Sequence, residues 1–288
     1  MASTKKYDQK LRSLRNTGKI TRTMKLVSMS KLSRAHEAQR NAKLYAETMT
    51  GLIHGVGATL ESVHFPLLTP RDNPRNVLVL LITSDRGLCG SYNNALIRGV
   101  RNWIAANSSR YDKVDISVCG KKGWAALKSA HNVHKFYDNI TAKPRFRDAR
   151  SVSNDLIDSF RRNEYDEVYV SYNNYHSPLS QTPTFEKVLP IEPQLVEKTN
   201  GQANSYIYEP PVSKLLELLI PKYLYFRIYF ALLENSAGEH GARMTAMDSA
   251  SKNAVKLIDH YTTLRNRARQ AAITTELVEI IAGKEALA

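Results

Sequence analysis

The turn Asp85-Arg86-Gly87-Leu88-Cys89-Gly90-Ser91 is the stretch of this chain that most invites a chemical reading. It follows a continuous apolar run, the position at which an α/β fold binds ligands, and its glycines would let backbone N–H groups approach a phosphate. It is neither G-x-G-x-x-G nor a Walker loop, because it lacks the third glycine and the Gly-Lys-Ser/Thr ending. The alternative is a tight structural turn feeding a helix. Cys89 and Cys119, the only cysteines, both fall near the carboxyl ends of expected strands. They read either as a redox pair or as two small buried thiols. His131 and His134 lack the glutamate and the i,i+4 placement of a zinc protease site, and Glu239-His240 offers no second ligand. No Ser–His–acid trio stands out. The residues make no positive case for catalysis, and no cofactor or metal is expected.

Charge says more. Lysine and arginine exceed aspartate and glutamate by 41 to 27, a net +14. In residues 1–43 twelve basic side chains face only Asp8 and Glu37. A basic helix expects nucleic acid, anionic lipid or an acidic protein surface; a solvated face is the alternative. Near the other end, Arg265 and Arg269 form an i,i+4 pair with Arg267 nearly opposite. Like charges at that spacing repel by a few tenths of a kcal/mol, a penalty that an acidic or carbonyl-rich partner would remove. Next come a narrow uncharged run, Ala271–Thr275, and then Leu277, Val278, Ile280 and Ile281 over a broad arc. So wide an apolar arc suggests enclosure by other subunits, since one partner helix covers only a limited stripe.

The elements that must carry these residues are long helices. Residues 242–282 contain no glycine or proline. As one helix they would run roughly 60 Å. From Met1 to Thr50 the only breaker is Gly18, and the first proline is Pro66. Apolar positions recur at helical intervals from Leu11, Leu14, Met24, Val27, Leu32 and Ala35 through Tyr45, Met49, Leu52 and Val56. The closing seam is Met244, Met247, Ala254, Ile258, Tyr261, Ala268, Ala272, Thr275 and Ala282. Two such helices can bury their stripes only against each other or a partner, and an antiparallel pair is the simplest solution.

Between them the period changes. Val77–Thr83, Val114–Cys119, Val133–Tyr137, Val168–Tyr172 and Thr182–Leu189 read as strands, the last an edge strand because prolines bracket it. Asn94–Ala106, Lys122–Ala130 and Ser151–Arg162 read as helices, with Ser151 or Ser153 capping the third. Alternation of this kind implies an α/β body with a mainly parallel sheet. The expected fold is therefore α/β with long helices: an antiparallel coiled coil of the N- and C-terminal segments, with the α/β domain inserted. The divisions are residues 1–65, 75–205 and 212–288. Pro66–Pro74 is a connector and Glu192–Asn204 a loop. Ser213 should cap the closing helical region, Pro221 should interrupt it, and Gly238 with Gly241 should loosen it. Leu215–Leu233 is long enough to span a membrane but carries Glu217, Pro221, Lys222 and Arg227, so it reads as a soluble helix. The polar N-terminus lacks the apolar core of a signal peptide. Two cysteines cannot build a disulfide framework, which favours a reduced, intracellular setting.

At these residues the chain resembles the gamma-subunit family of F-type ATP synthases, the central rotor shaft. The similarity rests on Asn16–Ser28 near the start, Ser84–Gly90 in the middle, and Glu239–Asp248 with Arg267–Thr274 near the end. It spans essentially the whole chain. The resemblance implies a non-catalytic subunit that carries torque between a membrane ring of c subunits and a catalytic hexamer of alpha and beta subunits, beside an epsilon subunit. It implies that Met24 and Lys25 face acidic lever loops of beta, with Arg243 supporting that zone. Arg269, Gln270 and Thr274 would form a polar catch further along the hexamer. Tyr206, Tyr208 and Glu209 would touch the polar loops of the c-ring. The protein would lie peripherally on the cytoplasmic face of a bacterial plasma membrane, or on the matrix face if the chain is a mature organellar one. Gly238 and Gly241 depart from the small non-glycine residues usual there, which puts helix stiffness in question. The cysteine-bearing insertion of the redox-regulated plastid form is missing, so no thiol switch is expected. Two competing readings remain. A nucleic-acid-binding coiled coil would need stacking aromatics, and the opening helix offers only Tyr7 and Tyr45. A small α/β enzyme would use the Asp85–Ser91 turn.

Overall fold

The computed structural model describes residues 2–57, 65–191 and 211–286, apart from some side chains towards the ends of the long helices. Helix α1 (Ala2–Gly57) opens the chain and helix α5 (Val212–Ala286) closes it. Between them lie β1 (Asn76–Ile82), α2 (Tyr92–Asn107), β2 (Lys113–Cys119), α3 (Lys121–Leu127) and β3 (Val133–Tyr137). Then follow α4 (Phe146–Arg161), β4 (Glu167–Ser177) and β5 (Ser180–Leu189). The chain divides into two compact units, residues 1–29 with 243–288 and residues 30–242, and each long helix contributes to both.

The larger unit is built on one five-stranded sheet of order β3-β2-β1-β4-β5. Strands β1 to β4 are parallel, and β5 returns antiparallel on β4 as one of the two edge strands. A central parallel strand is covered on both faces, so it must be apolar throughout. Six of the seven residues of β1 are buried. Leu78, Leu80 and Ile82 join α4 and α5 in one core, whereas Leu81 packs with Leu96, Ile97 and Val100 of α2 in another. The alternation of side chains along a strand thus divides one apolar run between the two faces of the sheet, with Val77 and Val79 packing beside Tyr111.

Tertiary packing moved several expected boundaries. Helix α4 starts at Phe146 rather than Ser151. Arg145 stands at the N-cap without a side-chain bond, and Ser153 is internal, its hydroxyl donating to Ala149 O at 2.8 Å. The early start is fixed by Phe146, whose ring meets those of Tyr225, Phe226 and Tyr229 on α5. Pro221 does not interrupt α5; it lies inside a continuous helix. An internal proline forfeits a backbone bond and costs about 3 kcal/mol. Ile220, Leu224 and Ile228, all buried in the core on one face, hold the helix together across it. Ser213 falls inside the first turn of α5, so it is not the cap. The loop Glu192–Asn204 lies outside the described residues, as do the side chains of Tyr45, Met49, Leu52 and Val56. No described helix is long and apolar enough to cross a membrane.

Gly238 and Gly241 do not interrupt α5 either. A Cβ on Gly238 would stand 3.0 Å from the Tyr92 ring, and one on Gly241 3.1 Å from the Tyr175 ring and 3.2 Å from Pro178 Cα. These glycines serve close approach, which offsets the roughly 0.5–1 kcal/mol that glycine costs a helix. Gly18 differs: a Cβ there would meet Ala254 Cβ at an ordinary 3.6 Å. Gly18→Ala should therefore raise the thermal midpoint, adding about 0.5–1 kcal/mol. Gly241→Ala should lower it. Calorimetry of the two variants checks both signs; a stabilising Gly241→Ala would show that the close approach does not constrain the helix.

Candidate functional site

The turn after β1 comes first, since it is where an α/β fold would hold a ligand. Its polar groups are used within the fold. Ser84 Oγ donates to Arg86 O at 2.6 Å, and Asn93 Oδ1 accepts the Ser84 N–H at 3.0 Å. Asp85 accepts the Lys121 N–H at 3.1 Å and the Thr141 hydroxyl at 2.9 Å. The turn is tight, with Leu88 and Gly90 at φ of 63° and 61°. The crevice at the carboxyl end of β1 is entered by α5: Tyr92 Oη donates to Asn235 O and Oδ1 at 2.8 and 2.9 Å, and Asn235 Nδ2 reaches Thr83 O at 3.4 Å. The turn is a structural one. Cys89 and Cys119 are buried, and burial pushes the Cys119 thiol up, away from a reactive thiolate. His134 contacts the Tyr165 hydroxyl at 3.1 Å. Among the described residues no group of acid, histidine and cysteine side chains could hold a metal.

The paired helices of residues 1–29 and 243–288 present the other candidate surface. They run antiparallel: Tyr7 packs near Tyr261, Asp8 near Arg265, Gly18 on Ala254 and Lys25 on Asp248. Burial along α1 repeats at Leu11, Leu14, Gly18, Thr21, Lys25 and Ser28, intervals of three and four. On α5 it repeats at Met244, Met247, Ser251, Ala254, Ile258, Tyr261, Arg265, Ala268 and Ala272. This is the seven-residue period of a coiled coil. Its interior is small and polar in the middle. Thr21 satisfies its buried hydroxyl by donating back to Thr17 O at 3.0 Å.

A narrow seam leaves apolar side chains outside. Ile20, Leu26, Val27 and Met29 are half or more exposed. Val27 was expected in the seam; Ser28, next to it, holds that place and is buried. Met24 is half-buried at the seam edge. Lys25 lies in the seam, its ammonium 2.6 Å from Asp248 Oδ1, while Lys252 holds the other oxygen at 2.7 Å. The two ammonium groups pull the Asp248 carboxyl down to about 2. Arg243 is buried. On α1, Arg12, Arg15, Lys19 and Arg22 line one side of an open groove of about 570 Å³, with Ala254, Val255 and Ile258 opposite. Asp8, in the same groove, is engaged by Arg265 at 3.6 Å. The expected Arg265–Arg269 pair is thus divided, with Arg265 turned to Asp8 and Arg269 exposed.

The far end of α5 is open. Every residue from Ile273 to Lys284 is exposed, including Leu277, Val278, Ile280 and Ile281. Arg269, Gln270 and Thr274 are exposed at its base, the Thr274 hydroxyl donating to Gln270 O at 3.0 Å. Tyr206, Tyr208 and Glu209 lie outside the described residues. Asp248 and Lys252 were not singled out from the sequence; the signal was a small-residue heptad, which a search for large apolar positions overlooks.

The lowered Asp248 pKa carries a sign. A carboxyl whose folded value is depressed contributes stability above its unfolded value near 4, and that contribution is lost as pH falls towards 2. Asp248→Asn should destabilise the protein at neutral pH, and the gap to the parent should close between about pH 4 and 2. Denaturant midpoints across that range test it; a gap independent of pH would remove the ion pairs from the account.

The comparisons with known proteins bear on the whole chain. A family model described as ATP synthase matches residues 3–287. The ATP synthase gamma chain of Trichlorobacter lovleyi is 43% identical over 287 residues, covering 100% of this chain and 99% of that one. The gamma chain of a Geobacter species is 40% identical over the same span. Among solved structures, Euglena gracilis mitochondrial ATP synthase (OSCP/F1/c-ring, rotational state 3) contains a chain that matches with a TM-score of 0.67 at 18% identity, covering 99% of this chain and 95% of that chain. A chain of the Tetrahymena thermophila mitochondrial ATP synthase central stalk and c-ring matches at 0.59 and 23%, covering 81% of this chain and 99% of that chain. With full-length relatives at this identity, and a coiled coil and sheet of the same fold, the chain belongs to the ATP synthase gamma-chain family.

Proposed function

We propose that this chain is the non-catalytic central-stalk rotor of an F-type ATP synthase, passing torque between a membrane c-ring and a catalytic hexamer of alpha and beta subunits. The observation that carries the reading is the dressing of the helix pair, whose mid-seam is filled by small residues while Ile20, Leu26, Val27, Met29 and a row of basic residues lie outside. Such a surface is made to be surrounded by partners. Arg12, Arg15, Lys19 and Arg22 repel one another along one face, and an acidic partner would relieve this. Met24 and Lys25 would face the acidic levers of beta, with buried Arg243 supporting the helix beneath them. Arg269, Gln270 and Thr274 would make a polar catch, and the apolar end of α5 would turn in a sleeve formed by the hexamer. Tyr206, Tyr208 and Glu209 would meet the c-ring, with the epsilon subunit alongside. Catalysis would reside on beta. The chain would sit peripherally, on the cytoplasmic face of a bacterial membrane.

Two variants test this in the assembled complex. Met24→Lys places a new cation against the acidic levers, and one extra charge-assisted contact of about 1.5–3 kcal/mol would slow release about tenfold or more. Ions pumped per ATP should fall; an unchanged ratio would count against the assignment. Deleting residues 277–288 should weaken coupling but leave unfolding of the α/β body within about 0.5 kcal/mol, because residues 277–284 are exposed. Loss of the whole fold would make the tip part of the core.

A further inference from the structure

Within the larger unit, α5 is buried at every position from Ala231 to Gly241. Three successive turns have no solvent face. A helix enclosed all round is ordinarily apolar all round. This one carries Glu234, Asn235, Ser236, Glu239 and His240. The bonds made by two of them point in different directions. The Glu234 carboxylate accepts the backbone N–H of Tyr175 on β4 at 2.6 Å and the side-chain amide of Gln39 on α1. Asn235, about 100° further round the axis, takes the Tyr92 hydroxyl at 2.8 and 2.9 Å and reaches the end of β1 at Thr83 O. One turn on, the Tyr92 ring sits against Gly238, and about two turns on the Tyr175 ring and Pro178 sit against Gly241.

Apolar ridges and grooves let a helix turn about its own axis by exchanging one fit for the next. Directional bonds set about 100° apart do not, and neither do rings seated so close that a Cβ would crowd them. We propose that Ala231–Gly241 is the torsional joint of the rotor, in which Tyr92 and Asn235, with the seats at Gly238 and Gly241, key α5 to the α/β body against slip. This rests on the rotor reading and deepens it. The crevice that binds ligands in related sheet topologies holds the protein's own helix. Tyr92 and Asn235 are positioning residues: their bonds hold α5 to the body.

The test uses whole ATP synthase in ion-tight vesicles, hydrolysing ATP against an increasing ion gradient. Tyr92→Phe removes one hydroxyl, and Asn235→Ala removes its acceptor side chain. Ile116→Ala is the control, a cavity in the core against α2 rather than α5. If slip is a barrier crossing held back by the joint, removing an ordinary hydrogen bond should raise ATP hydrolysed without ions moved about three- to tenfold at high gradient. Hydrolysis without a gradient should be unchanged, and the control should behave as the parent. Unaltered slip in Tyr92→Phe, or an equal rise in Ile116→Ala, overturns the joint. If Asn235→Ala fails to assemble, Tyr92→Phe decides alone. Pumping by the parent complex that persists without this chain would sink the rotor reading itself, before any variant is compared.

Discussion

In the middle of their seam the helices of residues 1–29 and 243–288 touch through small side chains. Gly18 lies on Ala254, and Thr21, Ser28 and Ser251 fill the neighbouring seam positions. Such a seam buries little area per turn, so the pair cannot draw stability from a wide apolar core. Packing then favours a strict period of seven, which keeps the thin stripe facing its partner along the length of both helices. It also leaves Ile20, Leu26, Val27 and Met29 outside. Apolar surface that a self-contained protein would hide is here displayed, and that follows directly from the narrowness of the contact.

Polar groups supply what the thin seam lacks. Asp248 is held between Lys25 and Lys252, at the seam edge where water still screens the charges. Exposed pairs of this kind contribute little stability individually. Their value is registry: a one-turn slide would separate Lys25 from Asp248 and Asp8 from Arg265 together. The same logic is stronger in the larger unit, where Glu234 and Asn235 are buried and their bonds, once broken, could not be replaced by water.

The α/β body shows how a ligand-binding architecture can become a mechanical one. The order β3-β2-β1-β4-β5 creates a crevice at the carboxyl ends of β1 and β4, where chain connections diverge. The Asp85–Ser91 turn opens onto it, yet Asp85 and Ser84 spend their hydrogen bonds on Lys121, Thr141 and Arg86 within the body. Asn235 from α5 reaches the crevice instead. A fold is read by its layers, but its function is read by what fills the site.

Periodicity alone determined much of this protein. The absence of breakers in residues 242–282 required a long helix, the apolar run at Val77–Ile82 required a doubly covered strand, and the change of period marked off the α/β body. These are local or near-local properties, because hydrogen bonding and side-chain alternation act between residues close in sequence. Tertiary structure decided the rest. Pro221 and Gly238 look like helix breakers, and only burial against Tyr92, Leu80 and their neighbours keeps α5 continuous through them. Val27 looks like core, but the close approach at Gly18 assigns that place to Ser28. Lys25 looks like a free cation until Asp248, more than two hundred residues away, is brought beside it. In each case the deciding contact joins residues distant in the chain, and no local pattern encodes the distance between them.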